Sequence, residues 1–349
     1  MVSQSVSLVD VYTPKLKVEV SATALAFNPT IEGELWVSLR QFPSGKPCTL
    51  EVDTGCAALP GVMAVLTDAT SAAPVAVIKE DGNSWHFMRR PTAIAWGDGE
   101  LFASCGEALT DNYEDDDTPY AGPALWSSDP AIFGVKPLPS QNGTHLDMLH
   151  ETPYCMGLAH ESGNAFWAFN GLAGSLDRVD FHAAHVVGGE DHDDGEVHRY
   201  IAGQLLREPE VPSHLVYDRA RKLVYVADTG HGRVLSVDPS TSVAGGDIVV
   251  YEALNGGSGF MDGATVKTLV PQGLLQKPSG LTLVDDVLYV TDNATSRIHS
   301  FGTDGKLLQT LDTGLPGGSL AGITMGPDAT LYITNLLTGG VHRVELSAQ

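Results

Sequence analysis

Six short apolar runs of nearly one composition recur along the chain: Glu34–Ser38 (ELWVS), Glu100–Ser104 (ELFAS), Ala165–Phe169 (AFWAF), Leu223–Ala227 (LVYVA), Val287–Thr291 (VLYVT) and Thr330–Thr334 (TLYIT). Each follows a second apolar run after a short turn. Those partners are Ala22–Phe27, Thr92–Trp96, Cys155–His160, His214–Asp218, Gly280–Val284 and Leu320–Met325. Runs rich in Val, Leu, Tyr and Trp, bounded by Gly, Asp, Asn or Pro, are strands, and successive pairs are antiparallel hairpins. The fullest copy, Val211–Pro239, predicts strands at His214–Asp218, Leu223–Asp228 and Arg233–Val237, with Asp247–Ala253 as the fourth strand of the same sheet. The recurring runs lack clean polar alternation, so each sheet is expected to be covered on both faces. Repetition at this scale marks an architecture in which every sheet buries itself on its neighbours.

The phrase Pro212-x-x-Leu215 followed by LVYVADTGHGRV closely resembles one unit of the NHL-type β-propeller repeat. That resemblance implies an all-β, six-bladed β-propeller forming one domain over residues 1–349. The blades fall near 21–85, 86–149, 150–206, 207–270, 271–315 and 316–349. The last unit has only three strands, ending in Gly340–Leu346. Lys15–Val20 (KLKVEV) alternates with period two and is expected to supply the fourth, closing the ring and removing an open edge. The units exceed the usual spacing of about 40–50 residues. The surplus lies in insertions at Gln41–Pro60, Glu107–Pro123, Ala183–Gly195 and Gly256–Leu274. The phrases WHFMRRPTAIA, GPALWSSD, THLDMLHETP, DHDDGEVHRY and PSHL together resemble a group of secreted bacterial NHL-type proteins.

A formal charge of −23 argues against nucleic acid or an anionic membrane surface as partner, and no apolar run is long enough to span a membrane. Cys48 and Cys56 sit in a Pro- and Gly-flanked loop and are expected to form a disulfide, which implies an exported protein, secreted or periplasmic; two reduced, unrelated thiols in a cytosolic protein are the other reading. Cys105 and Cys155 lie at the channel ends of neighbouring blades. They are able to pair or to join a metal site, though small buried thiols are the commoner case.

In propellers of this kind, the loops leading into the inner strands and out of the second strands share one face around the central channel. Three histidines fall in the inward loops of consecutive blades: His86, His150 and His214. They are expected to ligate a divalent transition metal, copper or zinc, at the channel mouth, leaving a position open for water or substrate. The arrangement is similar in part to the peptidyl-hydroxyglycine amidating lyases, which hold zinc with three channel histidines. The expected function is a metal-dependent lyase, hydrolase or oxidoreductase acting as a monomer on a small molecule or peptide, with Tyr154, Arg40 and Asp228 as candidate catalytic groups. Two readings stand beside it: a non-catalytic binding propeller with calcium-stabilised loops, and a hydrolase resembling the gluconolactonase-like lactonases. Phe181–Tyr200 is unusually rich in His and Asp and offers a second candidate cation site at His182, His185, His192 and Asp194, expected on the opposite face. Asp111–Asp117 lacks calcium-loop spacing and reads as a solvated loop.

Overall fold

A computed structural model of the chain describes residues 3–42, 60–111, 118–135 and 142–346. The expected Cys48–Cys56 bridge and most of the Asp111–Asp117 loop lie outside the described residues. Among the described residues the strands form five hydrogen-bonded sheets. The first comprises Glu19–Phe27, Leu35–Phe42, Val62–Thr67 and Val75–Lys79, and the second Pro91–Trp96, Leu101–Gly106, Ala124–Ser127 and His145–Met148. In the third, Cys155–Ser162, Ala165–Asn170, Ser175–Asp180 and Glu196–Tyr200 are extended by Gly257–Asp262 and Val243–Ala244. The fourth contains Leu215–Asp218, Leu223–Asp228, Arg233–Asp238 and Thr265–Val270. The fifth has eight strands: Pro278–Val284, Val287–Asp292, Arg297–Gly302 and Leu307–Asp312, then Gln4–Tyr12, Val341–Leu346, Leu331–Asn335 and Leu320–Met325.

The inner strands beginning at Glu19, Pro91, Cys155, Leu215, Pro278 and Leu320 touch one another in a closed cycle, which makes the fold an all-β propeller. The recurring runs show why the cycle packs tightly. Thr291, the last residue of VLYVT, donates its hydroxyl to the Ala321 carbonyl (2.6 Å) and accepts from the Gly280 amide (2.7 Å), so one side chain spans two inner strands. A Cβ at Gly280 would fall on that same Ala321 carbonyl, so only glycine permits the approach. Thr334 and Gly322 repeat the amide contact at 2.7 Å. Between sheets the filling is aromatic: Trp36 lies 5.0 Å from Phe102 and 5.5 Å from Phe133, beside the fully buried Trp126.

Two expectations are corrected. Closure is made by Gln4–Tyr12, not by Lys15–Val20. Gln4–Tyr12 runs antiparallel to Val341–Leu346 and bridges in parallel to Leu311 and Asp312, whereas Glu19 and Val20 open the first sheet opposite Phe42 and Gln41. Asp247–Ala253 is not a strand, and the fourth strand of its sheet is Thr265–Val270. The segment instead crosses to the third sheet, where the Tyr251 amide donates to Glu151 and Glu252 takes hold of His150.

Candidate functional site

The short strand His145–Met148 carries the site. Residues two apart on a strand share a face, so His145 and Asp147 project together, and both meet His192. The His145 ring lies 5.4 Å from that of His192, and Asp147 Oδ1 is 3.0 Å from its Nδ1. His192 arrives on the loop after Asp180, which folds back along the strand. The His185 amide donates to the Leu146 carbonyl (3.1 Å) and that of Gly188 to the His145 carbonyl (2.8 Å). The helical turn Ser84–Phe87 brings His86 to the same place and is tied down by Asp81, whose carboxylate accepts from the Asn83 amide and from both the amide and hydroxyl of Thr144. A cavity of about 480 Å³ results, lined by His86, His145, His150 and His192 together with Trp85, Phe87 and Tyr120.

Each of the four imidazoles is held through Nδ1 by an oxygen. His86 Nδ1 lies 2.6 Å from the Asp111 carbonyl and His145 Nδ1 2.8 Å from that of Asn142. His150 Nδ1 is 2.9 Å from Glu252 Oε1, and His192 Nδ1 is 3.0 Å from Asp147 Oδ1. A carbonyl only accepts, so Nδ1 carries the proton in His86 and His145, and Nε2 is left with its lone pair. Burial pushes the pKa of His86 and of His145 down to about 4 and that of His150 well below its ordinary value, so these rings are neutral at pH 7. The Nε2 atoms of His145 and His150 are buried and have no hydrogen-bond partner among the described residues. Orientation of one ring nitrogen by an oxygen, with the other free and neutral, is the condition in which histidine binds a metal. The His86 and His150 rings are 6.3 Å apart, and the latter stacks on Tyr120 at 3.6 Å.

His214 does not join them. It sits over the central channel, 9% exposed, and its Nε2 donates to the Thr92 carbonyl (3.0 Å) of the second sheet. The channel itself, about 220 Å³, is lined largely by Ala, Leu and Ile of the inner strands, so it offers few ligands. The three candidate catalytic groups also lie elsewhere. Arg40 is buried against Glu107 at 3.3 Å, and the Tyr154 ring receives the Arg207 guanidinium at 4.1 Å. Asp228 is fully buried and accepts from the Leu206 amide, His231 and Arg233. All three hold neighbouring segments together. Cys105 and Cys155 are paired, their Cα atoms 5.8 Å apart, tying the second strand of one sheet, Leu101–Gly106, to the inner strand of the next, Cys155–Ser162, so neither is a free thiol.

The second candidate cluster divides. His182 and His198 face Glu196 at 3.7 and 2.9 Å, while His192 belongs to the cavity. His185 and Asp194 instead join Asp147. These form the one group of three among the described residues whose ligand atoms all lie within 4.8 Å of one another. Sequence reasoning missed His145, Asp147 and Glu252. The first two had a signal in THLDMLHETP, where alternate positions of a short strand carry His and Asp.

With this geometry the protein is defined as an all-β propeller whose histidine-lined cavity lies beside its second and third sheets. No known protein family and no curated protein matches the sequence. Among solved structures it is similar to an auxiliary nutrient binding protein from Bacteroides ovatus, at 10% identity and a TM-score of 0.57 over 99% of this chain and 78% of that one. A second auxiliary nutrient binding protein, from Bacteroides thetaiotaomicron, matches at 11% identity and 0.53 over 93% and 68%. A calcium-binding protein, regucalcin, from Agrobacterium tumefaciens matches at 13% identity and 0.50 over 100% and 98%. These likenesses show the fold.

Proposed function

We propose that the protein is an exported six-bladed propeller that binds one divalent transition metal, zinc or copper, in the cavity of His86, His145, His150 and His192. The blade count takes the eight-stranded sheet as two four-stranded blades joined only where Gln4 and Ser5 bridge Leu311 and Asp312. The observation that carries the metal reading is that oxygen engages Nδ1 in all four imidazoles and leaves Nε2 as the donor of each; among the described residues no three of these ligand atoms lie within 4.8 Å of one another, so an ion held by two of them takes water in its remaining positions. Imidazole donors favour a transition metal over calcium, which takes oxygen ligands. Export is supported by the Cys105–Cys155 bridge, a bond that persists in oxidising compartments.

The cavity is also large enough for a small molecule or the end of a peptide, with Trp85 and Tyr120 as flat walls and Asn83 and Glu190 as polar groups at its rim. A metal bound there would act as a Lewis acid toward such a ligand. The reaction class is a lyase, hydrolase or oxidoreductase acting at this cavity rather than at the channel. The test is metal content of the purified protein by plasma mass spectrometry, beside a His86→Ala, His145→Phe double variant that keeps an aromatic ring stacked on Phe87. Wild type is expected to carry one more equivalent of zinc or copper than the variant. Equal metal content in the two proteins refutes the proposal.

A further inference from the structure

The geometry points to a second cation site, distinct from the histidine cavity, formed by Asp147, His185 and Asp194. Asp147 is fully buried, yet its Oδ2 has no hydrogen-bond partner among the described residues. That oxygen lies 3.6 Å from His185 Nε2, which in turn is 2.8 Å from Asp194 Oδ1. The three ligand atoms are within 4.8 Å of one another and come from two separate segments, the strand His145–Met148 and the loop after Asp180. A carboxylate in the interior with an unmatched oxygen carries a desolvation cost that a proton or a cation relieves.

The donor set names the ligand class. Two carboxylates and one imidazole suit a first-row divalent ion of borderline softness such as zinc; three oxygen and nitrogen donors are too few for a calcium cage. Asp194 and His185 are partly exposed, at 35% and 19% of their side chains, which gives an ion a path from solvent and leaves room for water in the remaining positions. No ligand is shared with the cavity. The link is Asp147 itself, whose Oδ1 orients His192 while Oδ2 faces the second site. An ion there would pin the returning loop to the second sheet and fix the carboxylate that holds His192.

The test titrates chelator-stripped full-length protein with Zn²⁺ alone, by isothermal calorimetry and by plasma mass spectrometry after desalting. His185→Gln and Asp194→Asn are the probes, since both are partly exposed and keep polar groups of similar size; circular dichroism confirms that each is folded. Each variant is expected to lose one Zn²⁺ equivalent, or to bind it at least about 10-fold more weakly, relative to wild type. The His86→Ala, His145→Phe protein should retain that equivalent. If wild type takes up a single ion that the His185 and Asp194 variants lose and the cavity variant keeps, this site stands and the cavity reading fails. Unchanged Zn²⁺ stoichiometry and affinity in both His185→Gln and Asp194→Asn, or no Zn²⁺ uptake by wild type, overturns the proposal.

Discussion

His214 offers a measure of how strongly buried neutral imidazoles set the acid limit of this fold. Its ring is 9% exposed above the channel, Nε2 donates to the Thr92 carbonyl, and burial holds its pKa at about 4. An unfolded chain restores the ordinary value of about 6.5. Between these two values the unfolded state binds a proton that the native state refuses. The group's contribution to stability is therefore complete above about pH 6.5 and declines as pH falls toward 4. For one such group the loss is about 2 kcal/mol at pH 5 and approaches about 3 kcal/mol below pH 4. A His214→Gln variant keeps an amide donor for Thr92 but cannot take up a proton. Urea unfolding followed by tryptophan fluorescence, at pH 8 and pH 5 with chelator throughout, isolates the effect. Whatever the replacement costs at pH 8, wild type should lose about 2 kcal/mol more than the variant on going to pH 5. An equal loss in both proteins would mean that His214 is not buried as a neutral base, and the argument for it would fall.

Two other perturbations have expected sizes. Replacing both Cys105 and Cys155 by Ser releases a 50-residue loop and should destabilise the protein by about 4 kcal/mol on loop-closure grounds, seen as a lowered urea midpoint under non-reducing conditions. Glu107 is fully buried and faces Arg207 at 2.7 Å, Arg40 at 3.3 Å and Arg90 at 4.0 Å. Glu107→Ala leaves those guanidiniums without their central carboxylate and should cost about 3–5 kcal/mol in the same assay, with Glu107→Gln, which keeps the acceptor, costing less.

The strand pairs around the ring were legible because the recurring runs are stiff, apolar and punctuated by turn residues. Each inner strand and its partner is decided within about fifteen residues of sequence. The closing strand was not legible for the opposite reason. Residues 4–9 (QSVSLV) and KLKVEV both alternate with period two, and alternation specifies a face without naming a partner hundreds of residues away. The candidate site depends on the same distinction. His86 and His150, expected from their place before the inner strands, line the cavity, whereas His214 shares that place and lies over the channel. The His182–His198 loop was read as belonging to the opposite face, because nothing local announces that the His185 and Gly188 amides bond to the outer strand of the preceding sheet. Glu252 was beyond reach altogether, lying in a segment whose Val-rich composition read as a strand while its carboxylate served His150 from a neighbouring unit.

The pairing of Gln4–Tyr12 with Val341–Leu346 also constrains how the molecule is assembled. During synthesis the first partner emerges early and must wait, unpaired, while more than three hundred residues are added. The earlier sheets are built from segments much closer in sequence and are free to form as those segments appear, but the cycle of inner strands stays open until the last arrives. Joining such distant segments is entropically slow, so closure is expected to be the late step of folding. Unfolding should begin at the same seam. The lifetime of the native protein would then be governed by how often that one strand lets go.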